Sequence, residues 1–290
     1  MVKTTWGGAC RRSWSLLACV LLLAGCEASV DPELTDGELI RQQLDTGTDE
    51  AILFSAQILS DQTGTIQYAR TVASIRRGFV NFRFYEDSVE LQSPVLAFEA
   101  RILDTLFGSV TYRISGVDET YAFARLAYGG NAKLLKIGSS STHPNPWHIW
   151  RMQYRHAEQG GGDGSPSIGI MTISSGGITE QIATPENVQM RRDDVLTLPM
   201  GTPTNVDVDV TVGTPNDSFF VTYPVAGGYE TAVMVHDSIH HTATVAVSST
   251  RRFELLTVQG FKREAFTQPG FAEATAIAIR SAVIRFFSEP

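Results

Sequence analysis

Alternation with a period of two governs the C-terminal third of the chain. Val206, Val208, Val210 and Val212 fall on one side of an extended run, with Asp207, Asp209 and Thr211 on the other. That pattern belongs to a strand with one buried and one wet face. Valine also loses side-chain freedom in a helix, which favours the extended form. Comparable runs lie at Val195–Leu198, Ser218–Tyr223, Thr231–His236, Thr242–Val247, Phe253–Val258 and Thr275–Phe287. Between them stand Gly201-Thr202-Pro203, Gly213-Thr214-Pro215-Asn216-Asp217, Ala226-Gly227-Gly228 and Thr267-Gln268-Pro269-Gly270. Turns placed so often leave no room for long helices, and the expectation is a mainly all-β fold.

Seven short strands with regular turns resemble an immunoglobulin-like β-sandwich over residues 185–290. The resemblance is architectural, because the usual inter-sheet disulfide and strand tryptophan are absent. The alanines of Phe271–Ile284 suit a helix, but Ile277, Ile279 and Val283 alternate, so a strand is expected there. Residues 36–184 read as a β-rich domain with one or two short helices. Thr35 and Glu38 form a capping box that opens a helix over Glu38–Leu44. Residues 49–60 and 65–77 fit either helix or strand. From Phe79 the period becomes two: Phe79–Tyr85 is a strand, and Glu86-Asp87-Ser88 turns it into a second at Val89–Gln92. Ser109–Ser115 and Thr120–Leu126 flank Gly116–Glu119 as a hairpin, and Trp147–His156 forms a further strand. The run Gly160-Gly161-Gly162-Asp163-Gly164 is an interdomain linker or a long hairpin loop.

The first 25 residues carry a different signal. Arg11 and Arg12 precede the apolar run Leu16–Leu23, and small residues follow. This is the order of a secretory leader. The run is about ten residues, short of the roughly 20 that span a bilayer. Leu23-Ala24-Gly25-Cys26 resembles the lipobox of bacterial lipoproteins. The resemblance implies cleavage before Cys26, a diacylglycerol on its thiol and acylation of the new amino terminus. Residues 26–35 would then be an acidic tether. Glu27, where an Asp would retain such a protein at the inner membrane, points to the outer membrane or cell surface. Of the three cysteines, Cys10 and Cys19 leave with the leader, so the mature chain has no disulfide.

Net charge is -8, and more negative once Lys3, Arg11 and Arg12 are removed. The pairs Arg76-Arg77, Arg191-Arg192 and Arg251-Arg252 are scattered, whereas a nucleic-acid surface needs a basic patch. No nucleic-acid partner is expected.

Three constellations are candidates for binding. His236-Asp237-Ser238-Ile239-His240-His241 brings imidazoles and a carboxylate together as for zinc, although residues in a β turn need no function. Asp207 and Asp209, with Asn216-Asp217 in the next turn, offer oxygen ligands for calcium, although acidic strand faces are ordinarily just soluble. In the strand from Trp147, alternation sets Trp147, Ile149, Arg151, Gln153 and Arg155 on one face and His148, Trp150, Met152, Tyr154 and His156 on the other. Trp147, Arg151 and Arg155 would make an aromatic platform for a sugar ring or a peptide; the plainer reading puts these aromatics in the core. No nucleophile elbow, phosphate loop or His-Glu-x-x-His motif is present. The functional expectation is a lipid-anchored, non-enzymatic envelope protein, without a cofactor, that binds a glycan or protein partner or assists assembly. An extracytoplasmic hydrolase and a purely structural lipoprotein are the alternatives. Mass spectrometry of the mature amino-terminal peptide should find acyl chains on Cys26, and Cys26→Ser should release a folded domain from the membrane; a soluble wild-type product beginning elsewhere would refute the lipobox.

Overall fold

The computed structural model describes residues 35–45, 57–60, 66–114, 117–138, 145–153, 155–158, 166–183, 189–191, 195–212, 217–237, 239–250, 253–262 and 277–287. Cys26, the tether and the glycine run at 160–164 lie outside the described residues. Helix α1 is Asp36–Asp45. Its capping box closes as expected: the Thr35 amide donates to Glu38 Oε2 at 2.7 Å, and the Glu38 amide donates to Thr35 Oγ1 at 3.3 Å. Two amides that the first turn leaves without helical partners are thereby satisfied.

Every other described element is a strand. In chain order they are β1 (Gln57–Ser60), β2 (Ile66–Asp87), β3 (Val95–Ile114), β4 (Val117–Lys136), β5 (Trp147–Gln153) and β6 (Arg155–Glu158). Then come β7 (Ile168–Ser175), β8 (Ile178–Ile182), β9 (Gln189–Arg191), β10 (Thr197–Pro199), β11 (Thr204–Val212) and β12 (Ser218–Val225). The last are β13 (Gly228–Val233), β14 (Val235–Asp237), β15 (His240–Val247), β16 (Phe253–Phe261) and β17 (Ile277–Phe287). A 12-stranded sheet runs β1-β2-β3-β4-β6-β17-β16-β12-β13, with β5 and β9 branching from β4 and β10 parallel to β17. A 5-stranded sheet runs β14-β15-β11-β7-β8.

The all-β expectation holds, and the ambiguous stretches that are described resolve as strand. Residues 66–77 belong to β2, which pairs with β3 along nearly its whole length. At 22 residues it far exceeds the usual strand of about 5–6. β17 is extended despite its alanines. Three expectations are corrected. Val89–Gln92 is not a strand, because Asp87 Oδ1 accepts the amides of Val89 and Glu90 at 2.9 and 3.0 Å and folds the chain over. The hairpin after β3 is tighter than expected, since Ile114 already pairs with Val117. The division at 184/185 does not separate the sheets: β7, which falls within residues 36–184, pairs with β11, and β8 pairs with β7. β6 pairs with β17, and Leu39–Pro290 forms one unit. The larger sheet is therefore not the closed layer of an immunoglobulin-type sandwich; it continues from β17 through β6 to the long strands β4, β3 and β2.

Two larger apolar cores stand out among the described residues of this unit. In the first, Val206, Val208, Val210, Met171 and Ile173 of the smaller sheet meet Phe219, Val221, Leu256, Val258, Ala282 and Ile284 of the larger. The alternating valines thus face inward, as their spacing requires. In the second, Leu39, Ile40 and Leu44 of α1 join Phe98, Ile102, Leu134, Trp147 and Ile149. Trp147 is 0% exposed. Trp147→Ala should cost about 3–5 kcal/mol, the loss expected for a buried large aromatic. Urea unfolding checks this; a loss under about 1 kcal/mol, as at exposed sites, would contradict the assignment.

Candidate functional site

Trp147 and Arg151 do not share the expected platform, and the cause is a β-bulge. Leu134 pairs with Ile149 but Lys133 pairs with Arg151, so Trp150 is an extra residue in β5. Strict alternation breaks there. Met152 consequently packs on the same core as Trp147 and Ile149. Trp150 and Arg151 instead both reach Glu90: Trp150 Nε1 donates to Oε2 at 2.9 Å, and the Arg151 guanidinium pairs with Oε1. Arg155 pairs with Ser281 in the sheet, and its side chain lies outside the described residues.

Around Glu90 sits an ionic cluster that sequence reasoning missed. Lys133 Nζ lies 2.6 Å from Asp87 Oδ2 and 3.1 Å from Glu90 Oε1, and all three side chains are buried. The ring of Tyr85 covers the ammonium. The hydrogen bond from Lys133 holds the Asp87 carboxyl down at about 2. Burial works to raise Glu90, but bonds from Trp150 and Lys133 outweigh it and leave it below the usual carboxylate range. The Lys133 ammonium is held above its ordinary value, its two carboxylate bonds overcoming burial. Two acids and two bases neutralise one another, so the cluster is a clasp and offers no unpaired charge to a ligand. The sequence did mark the turn at Asp87, but not the lysine 46 residues away that meets it.

The histidine cluster is divided by the same period of two. β14 and β15 pair His236 with His241 and Asp237 with His240, so the four residues occupy two faces of one hairpin. His236 and His241 face each other with tilted rings, centroids 4.8 Å apart. On the other face His240 Nδ1 donates to Asp209 Oδ1 at 2.8 Å. The expected four-residue zinc set and the Asp207–Asp209–Asp217 calcium set do not converge: among the described residues no three His, Cys, Asp or Glu side chains come together. Asn216 lies outside the described residues.

What does assemble is the outer face of the 5-stranded sheet. Register places Asp207 between Thr244 and Ser174, and Asp209 between Thr242 and Thr172. Each carboxylate is thus flanked by a hydroxyl residue on both sides, with side chains about 4.5–5.5 Å apart at Cβ. Thr244 Oγ1 donates to Asp207 Oδ1 at 2.6 Å, and the hydroxyls of Ser174 and Thr179 hydrogen-bond to each other at 3.0 Å. Oδ2 of each aspartate has no protein partner among the described residues. These residues line an open groove of about 510 Å³, with Val235 at its β14 end. The sequence places both aspartates on one strand face as candidate calcium ligands, whereas their hydroxyl neighbours depend on the pairing of β7, β11 and β15.

No family model matches this chain, and no curated protein or solved structure matches it either.

The clasp can be tested directly. Lys133→Met should destabilise the protein by about 3–5 kcal/mol, because it leaves two carboxylates buried against a single guanidinium. Urea unfolding at neutral pH reads this; a change within about 0.5 kcal/mol would show that the cluster is effectively solvated.

Proposed function

We propose that the mature protein is a lipid-anchored envelope module that binds a glycan in the groove on the outer face of the 5-stranded sheet. The observation that carries this reading is the pair of hydroxyl–carboxylate–hydroxyl rungs, Thr244–Asp207–Ser174 and Thr242–Asp209–Thr172. Successive residues on one strand face are about 6.7 Å apart, so the two rungs reach hydroxyls across a ring or on adjacent sugar units rather than neighbours on one ring. Each aspartate retains an oxygen that accepts from a sugar hydroxyl, and the threonines donate or accept as needed. Val235 and the threonine methyl groups supply apolar surface for the C–H side of a ring. A groove of about 510 Å³ falls in the range of small-ligand sites. A two-layer scaffold, buried on its inner face, holds these side chains on rigid strands. Lipid attachment at Cys26, at the outer membrane or cell surface, would place the groove among envelope polysaccharides.

The test is an oligosaccharide array, with peptidoglycan sedimentation, comparing the wild-type mature chain with Asp207→Asn and Asp209→Asn. Both aspartates are at the surface, so melting should change by less than about 0.5 kcal/mol. Binding should fall tenfold or more, about 1.4 kcal/mol. Equal binding by all three proteins would refute the groove. Glycan cleavage by the wild type that both variants lose would favour the hydrolase reading instead.

A further inference from the structure

The other face of the β14–β15 hairpin carries a buried imidazole with an unpartnered nitrogen. His241 is 2% exposed, with its ring 4.4 Å from that of Phe219. Its Nε2 lies 3.1 Å from the carbonyl oxygen of Asp217. A carbonyl only accepts, so Nε2 carries the proton and Nδ1 of the neutral ring carries a lone pair. That Nδ1 is buried and has no hydrogen-bond partner. A buried acceptor left unmade is costly, and native structures rarely tolerate one without a water, an ion or a functional reason.

We propose that His241 Nδ1 and the imidazole of His236 together bind a divalent transition-metal ion of the zinc type. His236 stands directly opposite His241 in the β14–β15 register and is exposed. With metal–nitrogen bonds of about 2.0–2.1 Å, two imidazoles meeting one ion near the tetrahedral angle have centroids about 5 Å apart. The rings here are 4.8 Å apart and inclined at 53°. The bond from Nε2 to a backbone carbonyl is the outer contact that ligating histidines ordinarily have; it sets the tautomer and aims the free nitrogen. His240 is excluded from the site, because alternation turns it to the other face, where Asp209 holds it. No third protein ligand joins the pair among the described residues. The ion would keep two open positions, reached from solvent past His236, for water or an incoming donor.

The experiment uses the mature chain without a histidine tag. Zn²⁺ should raise its melting temperature progressively, as mass action requires for a ligand of the native state, and EDTA should reverse the rise. In ¹⁵N spectra of the imidazoles, Zn²⁺ should shift His241 Nδ1 while Nε2 keeps its protonated signature. His236→Ala, at an exposed edge position, should fold normally and lose the Zn²⁺ response, whereas His240→Ala should retain it. The absence of a Zn²⁺ response in the wild type would overturn the proposal. So would an equal response in His236→Ala, or a spectrum in which His241 Nδ1 does not move.

Discussion

The fold depends on its last strand. β17 pairs with β16 over nine residues, from Ile277–Phe261 to Arg285–Phe253. Its opposite edge takes β6 at Ala278–Ser281 and parallel β10 at Arg285–Phe287. Both faces of this strand are buried: Ala278, Ala282 and Ile284 enter the inter-sheet core, while Ser281 bonds Thr257 at 2.8 Å on the other side. Small residues are needed where layers close on both faces. Gly260, opposite Ala278, makes the same point: a Cβ there would meet the ring of Phe219 at 2.6 Å. The strand joining the long β2–β4 ribbon to the C-terminal strands is distant from that ribbon in sequence, so the larger sheet closes through non-local pairing. Non-local pairing of this kind folds slowly.

The ionic clasp does for the ribbon what β17 does for the sheet. Burying Asp87, Glu90, Lys133 and Arg151 gains little net free energy, since desolvation offsets much of the attraction. Its effect is geometric. Asp87 ends β2 by holding two amides, Lys133 ties that turn to β4, and Glu90 takes hold of β5 at its bulge through Trp150 and Arg151. The bulge in turn decides which β5 residues reach the core. The arginine that looked available for recognition in the sequence is thus consumed in fixing the strand that carries it.

Legibility in the sequence followed the range of the interaction responsible. The capping box and the valine alternation are local, and both appear where the residues place them. β17 was separable from a helix because Ile277, Ile279 and Val283 alternate, although its alanines argued the other way. Residues 65–77 were ambiguous because alanine, threonine and arginine leave both periods open, and only pairing with β3 decided between them. The bulge at Trp150 is invisible locally: no residue near it is unusual for a strand, and its cause is the partner register. For the same reason the face taken by Arg151 was misread, while the shared face of Asp207 and Asp209 follows from their spacing. Two residues apart on one strand is a local fact; a threonine on either side is a property of three strands together.

Register also ties the proposed recognition face to stability. β11 and β15 present Val206, Val208, Val210 and His241 inward, with Asp207, Asp209, Thr242 and Thr244 outward. A slip of one residue between these strands and their neighbours would exchange the two sets. It would drive two carboxylates into an apolar core, where an unpaired charge is very costly, and expose the valines that hold the sheets together. The polar rungs therefore need no separate device to keep them aligned. The valines that drive the sheet onto its partner also fix which oxygens face the groove, so a substitution that leaves the core intact changes the chemistry of the proposed recognition face without moving it.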